Sequence, residues 1–153
     1  MFDKNAFNEN DQRAKTKFIE LFYNTPKYKN FKLEYPQNEY SVDFIVKNKL
    51  DIQIANIEVE GKKSWKGYNF PYNDIQLLVR KPKFWLDPQY NKGYPTTFVM
   101  FNNELTNHLV IFSKPMIDII KRGDTRYYGT EKTRYESFLI AKQSEVTFSY
   151  FGK

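Results

Sequence analysis

The chain contains no cysteine and a single histidine, His108, among its 153 residues. The absence of cysteine excludes disulfide bonds, zinc sites built from thiolates and cysteine nucleophiles. One histidine without cysteine also excludes histidine-rich metal sites and catalysis of the Ser-His or Cys-His type. No glycine-rich phosphate loop is present, which argues against P-loop nucleotide hydrolysis. His108 follows a predicted hairpin turn, where we expect an exposed strand residue.

The sequence also lacks long apolar runs. No segment approaches the length that a membrane-spanning helix needs, so we expect no membrane partner. The first residues, Met1-Phe-Asp-Lys-Asn5, have neither the basic region nor the apolar core of a secretory signal. We therefore expect a cytoplasmic protein, or one of the host cytoplasm if its source is viral.

Aromatic residues and positive charge are abundant. Aromatic side chains make up 18% of the chain, with 14 Phe and 12 Tyr, which indicates a folded protein that contains β-structure. The length predicts a single domain over residues 1–153. A net charge of +6 favours polyanionic partners, with nucleic acid first and an anionic membrane surface second.

Apolar spacing and turn residues predict an α+β fold. A helix from about Asn10 to Asn24 carries its apolar residues at helical spacing and ends before Pro26. Strands are predicted at 31–35, 40–47, 51–60 and 74–80, a hairpin at 96–101 and 109–112, a short helix at 115–121, and final strands at 135–141 and 146–151. This order fits a mixed central β-sheet with the N-terminal helix packed on it.

Acidic residues are concentrated on two of these strands. Asp43 lies in the apolar run 40–47, and Glu58 and Glu60 alternate with apolar residues in the next strand. Successive side chains of a strand point to opposite faces, so Glu58, Glu60 and Lys62 share one face. Neighbouring carboxylates repel unless a cation lies between them, and Mg²⁺ prefers carboxylate oxygen. Alternating Glu and Lys are also common on the solvent face of an antiparallel sheet, which is the competing interpretation.

This order of helix, strands and acids resembles the catalytic core of the PD-(D/E)xK nuclease superfamily, which includes restriction endonucleases and phage Holliday-junction resolvases. The resemblance covers roughly residues 10 to 80. It implies a restriction-endonuclease-like core in which Glu20 supplies the acid of the first helix. Asp43 and Glu58 correspond to the metal-binding acids, and Glu60 stands where lysine is usual.

The resemblance leaves two frames for the paired motif. In the preferred frame Glu58-x-Glu60 is the motif, Asp43, Glu58 and Glu60 bind the metal, and Lys62 or Lys63 supplies the positive charge. In the other frame the pair is Glu60-x-Lys62. Either frame implies Mg²⁺ or Mn²⁺ as cofactor, which lowers the pKa of a bound water so that it can attack phosphorus.

Two basic segments are candidate contacts to DNA. Arg80, Lys81 and Lys83 cluster beside Trp85, and residues 121–135 interleave cations with tyrosines. Solvated surface charge is the competing interpretation. Together with Lys63, the predicted nucleic-acid contacts are Arg80, Lys81, Lys83, Arg122, Arg126, Lys132 and Arg134.

The sequence therefore predicts a Mg²⁺-dependent deoxyribonuclease, with junction resolution, recombination and repair as candidate roles and branched DNA as a candidate substrate. A homodimer is expected because cutting two strands needs two sites. The alternative is a non-catalytic nucleic-acid-binding module, or a protein-interaction module, on the same fold.

Overall fold

A computed structural model describes residues 4–37, 41–78, 81–128 and 136–150. Four α-helices lie in this part of the chain: α1 Lys4–Asn24, α2 Lys83–Leu86, α3 Pro88–Asn91 and α4 Ser113–Arg122. The strands are β1 Lys32–Glu34, β2 Phe44–Lys47, β3 Gln53–Gly61, β4 Asp74–Leu78, β5 Thr96–Phe101, β6 Asn107–Ile111, β7 Thr125–Tyr128, β8 Glu136–Lys142 and β9 Thr147–Tyr150. Short 3-10 helices lie at Pro26–Tyr28 and Gln143–Glu145.

The predicted α+β fold with a mixed sheet is confirmed. Six strands form the larger sheet in the order β1-β2-β3-β5-β6-β9. β1, β2 and β3 form an antiparallel meander, and β3 runs parallel to β5. The remaining pairs, β5 with β6 and β6 with β9, are antiparallel. Because parallel neighbours need a crossover, the chain between β3 and β5 travels through β4, α2 and α3.

Helix α1 packs on one face of this sheet, as predicted, although it begins six residues before Asn10. Its apolar residues recur at helical spacing and form one cluster with apolar residues of β2, β3 and β5. Ile57 and Val59 belong to this cluster, whereas Glu58 lies on the opposite face of β3. The alternation read from the sequence is therefore correct. The buried residues of the cluster are Ala14, Phe18, Phe22, Phe44, Val46, Ile57, Val59, Val99 and Phe101.

The structure contains a second sheet, so the C-terminal strands are not arranged as the sequence predicted. It has three strands in the order β4-β8-β7, and β7 occupies residues for which only a loop was predicted. Ile75 and Leu77 of β4 alternate and pack with Leu139 and Ala141 of β8 in a second apolar cluster. Apolar burial against the face of the larger sheet opposite α1 holds this small sheet in place.

His108 is buried, so the expectation of an exposed residue is wrong. Only 6% of the residue is accessible, and its ring lies 5.3 Å from that of Phe101 between centroids. β6 is an interior strand of the sheet, with β5 and β9 on either side, and both of its faces are covered. Burial lowers the pKa of His108 to about 4.

Within the described residues, no helix combines the length and the apolar composition that crossing a bilayer requires.

Candidate functional site

Asp43 and Glu58 lie beside each other where β2 begins. Phe44 pairs with Ile57, so the next pair in the register is Asp43 and Glu58. The Asp43 backbone N–H donates to Glu58 Oε1 at 2.9 Å, and the Val59 N–H donates to Asp43 Oδ2 at 2.8 Å. Asp43 therefore precedes β2 instead of lying inside a longer strand, because the two side chains replace the backbone ladder at this position.

The second oxygen of each acid faces a lysine. Lys15 Nζ of α1 lies 3.1 Å from Asp43 Oδ1, and Lys81 Nζ lies 3.5 Å from Glu58 Oε2. The Glu58 side chain is only 4% exposed, so it does not lie on a solvent face of the sheet. Each carboxylate thus binds backbone with one oxygen and offers the other to a positive charge.

Burial and neighbouring charges shift the pKa values of this cluster. Burial, and next the charge of Asp43, raise the pKa of Glu58 to about 8 against the opposing effect of Lys81. Burial alone would lower the pKa of Lys81, but Glu60, Glu58, Asp43 and Asp11 outweigh it and raise that pKa. Lys81 therefore stays charged, whereas the ionised form of Glu58 is disfavoured.

Asp11 of α1 is a member of this cluster that the sequence did not identify. Burial raises its pKa, while Lys81, the Gly61 backbone and Lys15 oppose that effect. Its Oδ1 atom is buried and has no hydrogen-bond partner within the described residues. The available signal was its position one helical turn before Lys15, with the buried Ala14 between them.

A glycine brings α1 close to the site. Asn10 Nδ2 donates to the Gly61 carbonyl at 2.7 Å, at the end of β3. A Cβ at position 61 would lie 2.8 Å from the same Asn10 nitrogen, which is closer than such atoms approach. The missing side chain of Gly61 therefore allows the helix to place Asp11 beside the acids of the sheet.

The remaining predicted catalytic residues divide between the cluster and solvent. Glu60 is half-buried, and its negative charge raises the pKa of Lys81. Glu20 was the expected helix acid, but its side chain is 59% exposed and pairs with Lys17 at 3.5 Å. Lys62 forms no ion pair with any described residue, and its backbone N–H donates to Phe101 O. The cations of the cluster are thus Lys15, which the sequence did not identify, and Lys81, which was predicted as a DNA contact.

Three of the other predicted DNA contacts are engaged within the protein. Lys83 Nζ lies over the Tyr90 ring at 4.8 Å from its centroid. Arg122 makes two hydrogen bonds of 2.9 Å to the Glu145 carboxylate, and Arg126 pairs with Asp74 at 2.6 Å. Lys63 is exposed in the loop after β3. Predictions for three further residues lie outside the described part of the chain: Arg80, Lys132 and Arg134.

The carboxylate oxygens of this cluster are donors of the kind that a hard divalent cation takes, but the protein offers few of them. No group of three or more His, Asp or Glu side chains in the described ranges is arranged to hold a metal ion. Mg²⁺, however, commonly takes only one or two carboxylates and completes its shell with water and substrate phosphate. Asp43 and Glu58 could supply that number of carboxylates, and burial is the main cause of the raised pKa of Glu58.

Comparison of the chain with protein-family models, with curated proteins and with solved structures found no match.

Proposed function

We propose that this chain is a Mg²⁺- or Mn²⁺-dependent nuclease that hydrolyses phosphodiester bonds of DNA. The observation that carries the proposal is the interlocked pair of Asp43 and Glu58 with the Lys81 ammonium beside it. Two acids on adjacent strands with one lysine are the groups that metal-assisted phosphate hydrolysis needs.

The two acids would hold the cation through the oxygens that now face lysines, Asp43 Oδ1 and Glu58 Oε2. When bound, the divalent ion supplies charge that polarises the scissile phosphate and lowers the pKa of a water molecule. Hydrogen bonds from the Val59 and Asp43 backbone fix the other two oxygens. The ligands are therefore oriented before any ion arrives, which reduces the entropy lost on binding.

Lys81 takes the role that the sequence assigned to Lys62 or Lys63. Its four acidic neighbours keep it protonated although its side chain is only 21% exposed. A fixed ammonium group in a partly dry site stabilises negative charge that develops on phosphate oxygens. Glu60, which also acts on Lys81, is the candidate third ligand or the acceptor of the water's proton.

The order of elements supports the same proposal. Helix α1, strand β1, a strand preceded by Asp43 and a strand carrying Glu58 follow one another as the PD-(D/E)xK resemblance implies. We propose a homodimer for cutting both strands of DNA, since each chain offers one site. Such an enzyme would act where its DNA lies, which we take to be the cytoplasm.

A cleavage assay tests this function. Plasmid, branched and single-stranded DNA are incubated with Mg²⁺, Mn²⁺ or EDTA, using wild type, Asp43→Asn and Glu58→Gln. We expect cleavage only with the divalent ion and a loss of at least about 100-fold in both variants. Glu20→Gln, which changes an exposed acid on α1, is the matched control and should cleave like wild type.

The second candidate is a non-catalytic nucleic-acid-binding module on the same fold. One observation favours it: lysines already neutralise the outward oxygens of both acids. This candidate predicts salt-dependent DNA binding that is the same in EDTA and in Mn²⁺, with no cleavage of any DNA.

A further inference from the structure

The loop between β3 and β4, residues 62–73, presents cations and aromatic rings together. Lys63 and Lys66 are exposed, and neither forms an ion pair with a described residue. Tyr68 and Tyr72 are 43% and 38% exposed. Arg122 elsewhere on the surface, by contrast, is neutralised by Glu145 and Asp124. This loop therefore leaves positive charge available next to aromatic surface.

Internal contacts hold the loop in one conformation. The Trp65 side chain is fully buried, and its Nε1 donates to the Asn69 carbonyl at 3.0 Å. The Tyr72 hydroxyl donates to the Ser64 carbonyl at 2.7 Å. Lys63 and Lys66 flank Ser64 and Trp65, so their backbone positions are fixed even though their side chains lie in solvent.

Hydrogen bonds from the turn between β5 and β6 also hold the loop in place. Asn102 Nδ2 donates to the Gly67 carbonyl at 2.9 Å, and Asn107 Nδ2 donates to the Tyr68 carbonyl at 2.7 Å. Glu104 accepts from the Gly67 N–H at 3.0 Å. A rigid loop that exposes binding groups is typical of recognition surfaces, whereas a merely solvated loop needs no such support.

The same turn connects the loop to the acidic site. The Asn103 backbone N–H donates to the Trp65 carbonyl at 2.8 Å, and the Asn103 carbonyl accepts from Arg13 at 3.3 Å. Arg13 lies two residues after Asp11 on α1, and the loop itself starts directly after Gly61. The loop is therefore at the same end of the sheet as Asp43, Glu58 and Lys81.

We propose that residues 62–73 bind a single strand of nucleic acid and guide it to the acidic site. Lys63 and Lys66 contact successive phosphates, and the Tyr68 ring stacks on an unpaired base. Interleaved cations and aromatic rings bind single strands without strong sequence preference, whereas the bases of a duplex are already stacked. This inference rests on the proposed nuclease function, for which it specifies the class of substrate.

Binding is measured in EDTA, where cleavage does not occur, by the fluorescence anisotropy of labelled DNA over a range of salt concentrations. The probes are an oligothymidylate about 16 nucleotides long, which spans the usual site size, and a duplex of equal length. The variants are Lys63→Gln with Lys66→Gln, and Tyr68→Ala. Lys27→Gln with Lys29→Gln removes the same charge from exposed positions after the other end of α1 and is the matched control.

We expect the Lys63 and Lys66 double variant to reduce the salt-dependence slope for the oligothymidylate by about 1.4, since each phosphate contact contributes about 0.7. Tyr68→Ala should weaken oligothymidylate binding roughly ten-fold and duplex binding much less. If the Lys63 and Lys66 variant matches the Lys27 and Lys29 control, or if Tyr68→Ala affects both probes equally, the inference is wrong. Metal-dependent cleavage that needs Asp43 would remain intact in that case, so the two proposals fail separately.

Discussion

Asp43 and Glu58 each hold the backbone beside the other residue: Glu58 accepts the Asp43 N–H, and Asp43 accepts the N–H of Val59. This reciprocal arrangement leaves one oxygen of each carboxylate for Lys15 and Lys81. The pair is therefore a structural junction between β2 and β3 and, under the proposed function, also a preorganised set of ligands.

Lys81 should be the essential cation. Lys81→Met removes the ammonium group next to Glu58 and should lower DNA cleavage at least about 100-fold, because charge on the phosphate is no longer stabilised. Lys29→Met is the matched control, since Lys29 is exposed beyond the other end of α1 and should retain near wild-type cleavage. Equal losses in Lys81→Met and Lys29→Met would contradict the role assigned to Lys81.

Lys15 should compete with a divalent ion for Asp43. Its ammonium group lies 3.1 Å from the only Asp43 oxygen that is not bound to backbone. Lys15→Met removes this competing charge, so Mn²⁺ should bind about ten-fold more tightly in calorimetry, equivalent to roughly 1.4 kcal/mol. Lys17→Met, with its partner Glu20 in solvent, is the control and should leave Mn²⁺ affinity unchanged. Weaker binding in Lys15→Met would show that Lys15 supports the ion instead.

Glu58 should make the metal-free protein less stable as the pH rises. Its folded pKa of about 8 lies above the usual value of 4.5, so the folded state binds the extra proton between these values. The unfolded state ionises first, and the free energy of unfolding therefore falls between about pH 4.5 and 8, by an amount on the order of several kcal/mol.

Glu58→Gln removes this titration and should show a flatter dependence over the same range. The measurement is urea unfolding in EDTA across that pH range, with the two proteins compared at each pH so that other groups cancel. Parallel curves for wild type and Glu58→Gln would show that Glu58 ionises normally in the folded state.

Gly61 should be needed for the position of α1. Gly61→Ala places a methyl group 2.8 Å from Asn10 Nδ2 and should lower the free energy of unfolding by roughly 1–3 kcal/mol. Asn10→Ala removes the side chain that the methyl group meets, so the double variant should lose less than the sum of the single losses. Urea unfolding of wild type, the two single variants and the double variant completes the double-mutant cycle. Strictly additive changes in the free energy of unfolding would exclude a direct clash.

Local patterns in the sequence were sufficient to predict α1, the strands of the meander and the acid pair. The spacing of Phe18 and Phe22 and the alternation around Glu58 are properties of a few neighbouring residues, and both are correct in the structure. Periodicity alone assigns such faces because a helix or strand repeats on a fixed interval.

The partners of the acid pair depend on tertiary structure and could not be found in this way. Lys81 reaches Glu58 only because the crossover between β3 and β5 returns past the end of β4. Asp11 joins because Gly61 lets α1 approach β3, whereas the sequence favoured Glu20 on the same helix. The burial of His108 likewise follows from the interior position of β6, which strand pairing determines.

Calorimetric titration of the metal-free protein with Mn²⁺ tests the central claim most directly. Wild type and Glu20→Gln should bind Mn²⁺ with the same affinity, whereas Asp43→Asn and Glu58→Gln should each lose at least about ten-fold. Circular dichroism on the same samples would establish that all four proteins are folded. No Mn²⁺ binding by folded wild type, or equal affinity in Asp43→Asn, would contradict a metal site at Asp43 and Glu58.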